Sequence, residues 1–120
     1  MITELRTALR LRRHTMPELI SAAGQPLKRR AKCRPPVTAA LVMRRLASGF
    51  GTPVEENAAL VAALRAGGHA AQLIVGAEPL PANDGEYPIV TWVAIDGRPL
   101  ELDRPPDILL VEVTRFPEKP

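Results

Sequence analysis

The stretch GTPVEENAALVAALRAGGHAAQLIVG, residues 51–76, decides how the rest of the chain is read. Thr52 can cap a helix with its hydroxyl. Pro53 suits the first helical position, where no backbone N–H is needed, and Glu55 stands three residues past the cap, the spacing of a capping box. Ala58, Val61, Ala62 and Leu64 recur at helical spacing and predict an apolar face. Gly67-Gly68 ends the helix, and Gln72-Leu73-Ile74-Val75 is a short apolar run of the kind that forms a buried strand. A helix of small residues running straight into a strand is the most strongly specified unit of the chain.

Upstream of this unit the periodicity is helical. Ile2 to Arg13 places Leu5, Ala8, Leu9 and Leu11 among Arg6, Arg10, Arg12 and Arg13, the pattern of an amphipathic helix. Thr15-Met16-Pro17-Glu18 repeats the capping logic and starts a short helix through Leu19, Ile20 and Ala22 that Gly24 stops. Gln25 to Arg34 is a basic connector without apolar period, and Pro35-Pro36 opens a further helix running to Ser48-Gly49.

Downstream the period becomes twofold. Ala71–Val75 is one strand and 78–86, with Asn83-Asp84-Gly85, a loop. Tyr87–Ile95 is a second strand, with Ile89, Thr91, Val93 and Ile95 on one face and Val90, Trp92 and Ala94 on the other. Asp96-Gly97 is a two-residue hairpin turn that returns the chain as Arg98–Leu102. Asp103 to Pro106 breaks the sheet, and 107–116 supplies a last strand. Helices followed by strands imply an α+β fold, with N-terminal helices packed on a small antiparallel sheet of about four strands. The expectation is one domain over residues 1–120: a basic helical half (1–50), a helix plus antiparallel sheet (51–116) and a frayed tail (117–120).

Composition bounds the function. Aromatic residues are 3% of the 120-residue chain against 46% hydrophobic, so Ala, Leu and Val must fill the core. Small side chains bury little area per position, which favours an oligomer. Residues 1–50 carry eleven Lys/Arg against Glu4 and Glu18, a net +9, while 51–120 carry five against eleven acidic residues, a net −6. Halves of opposite sign attract within the fold or across a homodimer. Nucleic-acid binding by the basic half is disfavoured by the near absence of stacking aromatics and of any RNA-recognition signature. No apolar run approaches the length a bilayer requires, and a cytoplasmic protein without membrane partners is expected. Cys33 is the lone cysteine; Lys32 and Arg34 would lower its pKa, but no catalytic motif surrounds it. His14 and His69 have no carboxylate at ligand spacing, and no phosphate-binding loop is present, so neither a metal nor a cofactor is expected.

From Gly51 to Asp103 the chain resembles the transglutaminase-like papain-fold superfamily, which includes the leader-peptide proteases of lasso-peptide biosynthesis. In that family a helix opens in Gly-x-Cys, a Gly-containing turn leads to a strand, and a His-x-Trp strand leads through a Gly turn to a strand ending in Asp. Here Gly51-Thr52-Pro53 stands for Gly-x-Cys, Val90-Thr91-Trp92 for His-x-Trp, Gly97 for the turn and Asp103 for the acid. Proline replaces the nucleophile and valine the base, so the resemblance implies a peptide-binding shape without the Cys–His pair that acyl transfer requires. In size, Ala/Arg/Pro-rich composition and missing nucleophile, the chain also resembles the small lysinoalanine-forming proteins encoded with cinnamycin- and duramycin-type lanthipeptides. This second likeness is one of overall character and carries over no functional residue. It implies addition of a Lys amine to a dehydroalanine of a modified precursor peptide, with catalysis mainly by positioning.

Two side chains are candidates for the proton transfer that addition requires. His69 follows the Gly67-Gly68 turn at the helix–strand junction, although an exposed turn histidine is the commoner fate. Glu101 alternates to the face opposite Leu100 and Leu102, where a solvated strand position is the plain alternative; the base could also come from the substrate. Arg12, Arg13, His14, Trp92 and Asp103 are the candidate substrate-binding residues, although Trp92, on the central strand, more often means core packing. Two alternatives remain open: a catalytically inactive transglutaminase-like module that binds a leader or precursor peptide, and a basic nucleic-acid-associated protein.

Overall fold

The computed structural model describes residues 2–11, 14–31, 52–77, 85, 89–100 and 111–119. Three helices precede four strands: α1 (Ile2–Arg10), α2 (Met16–Ala23), α3 (Pro53–Ala66), β1 (Ala71–Ala77), β2 (Ile89–Ile95), β3 (Arg98–Leu100) and β4 (Val111–Phe116). The strands form one antiparallel sheet in the order β3-β2-β1-β4. The fold is α+β with N-terminal helices. The helix expected over 35–48 lies outside the described residues.

The local signals act where the sequence placed them. Glu55 N–H donates to Thr52 Oγ1 at 3.3 Å, and the Thr52 hydroxyl donates to the Glu55 carboxylate at 2.9 Å. At α2 the Glu18 carboxylate accepts the Thr15 amide at 3.1 Å and the Thr15 hydroxyl at 2.7 Å. Asp96 and Gly97 take φ of 51° and 78°, the left-handed pair of a type I′ hairpin, and set the β2–β3 register at Ile95–Arg98. At the far end of α3, Gly68 N–H donates to Arg65 O and His69 N–H to Leu64 O, both at 3.0 Å. These are the paired bonds of a Schellman motif, whose left-handed residue is Gly68 at φ 93°.

Packing differs from the expected single apolar face of α3. Every residue from Asn57 to Arg65 is buried, so the helix is enclosed all round. On one side it meets Leu73 of β1 and Val93 of β2; on the other it meets Ala8 and Leu11 of α1 and Leu19 and Ala23 of α2. The order is sheet, α3, then α1 and α2. Short side chains at Ala58, Ala59, Ala62 and Ala63 let neighbours approach from several directions at once.

In α1 the buried face is Glu4, Thr7, Ala8 and Leu11, an i, i+3, i+4, i+7 set, whereas Leu9, expected on the apolar face, is 52% exposed. The helix ends at Arg10 rather than Arg13. Gly24 leaves room for the Phe116 ring, which closes the end of β4 against the α2 stop. Gln72 is buried on the sheet face away from α3 and donates to the carbonyls of Pro117 and Glu118, at 2.8 and 3.4 Å. Pro117 and Glu118, in the tail expected to fray, are thereby tied to β1.

Candidate functional site

Buried polar residues rather than exposed ones mark the places where this fold departs from simple packing. At the amino-terminal half of α3, Asn57 donates to Thr91 O at 3.2 Å and to Thr91 Oγ1 at 3.0 Å. That pair ties the first two turns of the helix to the start of β2. Thr91 sits between Val90 and Trp92, so the bond joins β2 to α3 about one turn past Pro53. Pro53, at the helix start, and Val90, on the strand, offer neither a nucleophile nor a base.

At the other end of α3 lies a carboxylate–imidazole pair. His69 Nε2 is 3.8 Å from Glu4 Oε1, with the two side chains only 10% and 5% exposed. Gly67 makes this possible, because a Cβ at that position would fall on the Glu4 carboxylate. Burial pushes His69 below its ordinary pKa, and the attraction of Glu4 and Asp96 only partly opposes it, so the imidazole is neutral at neutral pH. Burial alone would raise Glu4; hydrogen bonding and neighbouring positive charge more than offset it and hold the carboxyl below its usual range. The expected exposed turn histidine is therefore corrected: the Schellman turn carries the His69 side chain inward against α1. Near it Arg30 pairs with Asp96 at 3.0 Å on the hairpin, at an exposed position worth little energetically.

Between α1, α2 and α3 the chain encloses an open cavity of about 880 Å³. Among the described residues Arg10, His14, Lys28 and Arg65 line it together with a single carboxylate, Glu18. Arg65 is 6% exposed and spans three segments: Nε and one terminal nitrogen donate to Gln25 O at 3.2 and 3.0 Å, and the other terminal nitrogen donates to Ala71 O at 3.2 Å. Desolvation lowers the Arg65 pKa, though a guanidinium stays charged at neutral pH. Glu18 is held below its usual range by the Thr15 hydroxyl and amide, with His14 Nε2 at 3.8 Å.

Among the described residues the candidates named from sequence do not converge. His69 belongs to the Glu4 pair, and His14 lines the cavity. Trp92 is half-buried on the sheet face away from α3, its six-membered ring packed where Gly76 has no side chain. Arg12, Arg13, Glu101, Asp103 and Cys33 lie outside the described residues. Sequence reasoning passed over Glu4, Asn57 and Arg65. Arg65 had a signal, as the lone cation in the run from Ala58 to Ala66. Glu4 had one in its spacing from Thr7, Ala8 and Leu11.

Among the described residues no group of three His, Cys, Asp or Glu could hold a metal ion, and no helix is long and apolar enough to cross a membrane. No protein-family model, curated protein or solved structure matches the chain.

Proposed function

We propose that this chain is a peptide-binding protein that holds a modified precursor peptide during the biosynthesis of a ribosomal peptide natural product. The observation that carries the proposal is the Asn57–Thr91 pair. It sets the start of a capped, buried helix against the start of an antiparallel strand, the juxtaposition on which a transglutaminase-like cleft depends. With proline in place of the nucleophile, and valine in place of the base on the sheet face away from α3, what such a shape could still offer is recognition.

Fluorescence anisotropy with labelled leader, core and full precursor peptides tests the proposal. Saturable binding that Asn57→Ala weakens, in a variant that circular dichroism reports as folded, supports it. Absence of binding to all three peptides overturns it.

A second reading is closure of a lysinoalanine bridge, and neutral His69 beside Glu4 is the observation that favours it. In that reaction the neutral Lys amine forms a bond to Cβ of dehydroalanine. The alkene electron pair moves toward the carbonyl, the α-carbon gains a proton, and the new ammonium loses one. A neutral imidazole can accept that proton. The burial of His69 leaves most of the rate to positioning, which can supply about 7–11 kcal/mol at best. Mass spectrometry after trapping of free dehydroalanine reads the bridge. Faster closure with protein than without is the expected result, and equal closure removes the activity while leaving binding to be judged by anisotropy.

A further inference from the structure

The cavity lies where α1 and α2, which the transglutaminase-like resemblance does not cover, meet α3, and nothing in that likeness assigns it a role. Among the described residues its charges are unbalanced: Arg10, Lys28 and Arg65 face it against Glu18 alone. Glu18 is already engaged by Thr15 through two hydrogen bonds and does not reach Arg65. Arg65 has five N–H donors, of which three meet carbonyl oxygens of Gln25 and Ala71. Among the described residues no carboxylate pairs with it. A buried guanidinium held by carbonyl dipoles, with donors to spare at a cavity wall, is built to accept an anion from outside the chain.

The rest of the wall narrows the class of anion. Leu11, Pro17, Ala22, Ala62 and Ala66 make much of the surface apolar. The volume, about 880 Å³, falls near the top of the range that encloses drug-sized ligands. A bare inorganic anion would leave most of that wall uncovered. Recognition by stacking has no support among the described residues, none of whose aromatic side chains lines the cavity.

We infer that this cavity is a second binding site, one that takes a short acidic peptide segment, its carboxylate on Arg65 and the flanking apolar side chains against α1 and α3. The inference does not depend on the reading of the Asn57–Thr91 pair and stands or falls separately.

The full chain is titrated with a fluorescein-labelled peptide of alternating Leu and Glu, its Leu/Gln counterpart, and a labelled single-stranded oligonucleotide. The Glu peptide is expected to bind at least about tenfold more tightly than the Gln peptide, the value of one charge-assisted hydrogen bond. Arg65→Lys, which keeps the charge and loses the fork, should weaken the Glu peptide by about tenfold. Should that variant unfold, Arg10→Ala with Lys28→Ala carries the same test at exposed positions, where loss of the Glu preference is expected. Lys119→Ala, an equal loss of charge outside the cavity, should leave affinity unchanged, and Asn57→Ala should leave this site unaffected. Equal affinity for the Glu and Gln peptides overturns the proposal, as does an equal effect of Lys119→Ala. Displacement of the peptide by millimolar inorganic phosphate, or tighter binding of the oligonucleotide, overturns the acidic peptide as the occupant.

Discussion

Gly67 and Gly68 are neighbours with different duties. Gly68 supplies the left-handed backbone that the Schellman turn demands, and Gly67 supplies empty space for a carboxylate. Gly67→Ala would keep the backbone, whose φ of −84° any residue adopts, and would still force Glu4 aside. The expected cost is about 1–3 kcal/mol, as for other insertions into filled space, read as a lower denaturation midpoint with an unchanged slope. The Glu4–His69 pair also gives the fold a pH dependence whose sign is fixed. Folding depresses the His69 pKa below 6.5, so the unfolded chain binds more protons in the window beneath that value. The stability this neutral histidine contributes is complete above about pH 6.5 and is lost as pH falls through the folded pKa. Glu4, also depressed in the fold, adds a further loss below its ordinary 4.5. Denaturation from pH 8 to pH 5 should therefore show falling stability, and His69→Gln should flatten that slope. An equally steep slope in His69→Gln would locate the proton uptake elsewhere.

The element on which the other residues depend is α3, and its cap is the cheapest place to test that. Thr52 closes the first turn through Glu55 N–H, and Thr52→Ala should cost about 1 kcal/mol. Loss of that amount by chemical denaturation, with the native circular dichroism spectrum retained, is the expected outcome; an unchanged midpoint would mean that packing alone fixes the helix. Features such as this cap were legible in the sequence because their partners are three residues apart. The same holds for the Gly24 stop, the Asp96-Gly97 hairpin and the Thr15–Glu18 pair, each a local contact between residues whose types announce it. The buried polar set was not legible for the opposite reason. Asn57 meets Thr91, Arg65 meets Gln25, and Glu4 meets His69, across separations of 34, 40 and 65 residues. No local pattern encodes such pairings, and a polar residue on a helix reads as solvent-facing until its surroundings are known. The enclosure of α3 was hidden in a related way. Alanine fits an exposed surface as easily as a crowded interior, so a run of small residues does not say how many sides will be covered.

At the scale of the whole molecule the distribution of charge sets the last expectation. The first fifty residues carry a net +9 and the remainder a net −6, and part of that attraction is met inside one chain, as at Arg30 and Asp96. The remainder faces outward: Arg6, Arg10, Lys28 and Arg29 are exposed on the helical side. Elsewhere β4 forms an edge of the sheet, with Val111 and Val113 53% and 66% exposed. An edge strand with exposed valines and a cationic helical face are complementary needs that a second copy of the chain can meet, the helices of each protomer against the acidic sheet half of the other. The chain is therefore expected to form a homodimer at micromolar concentration in low salt. Charge attraction between exposed groups is screened beyond a Debye length of about 10 Å at 0.1 M salt, falling to about 3 Å at 1 M. Sedimentation velocity across that range should show the dimer giving way to monomer as salt rises, and Val113→Lys should weaken it at every salt concentration by placing a cation on the acidic half. A dimer indifferent to salt would assign the contact to the apolar edge alone. A salt-independent monomer at micromolar concentration would remove the homodimer and leave the basic face to the acidic peptide proposed for its cavity.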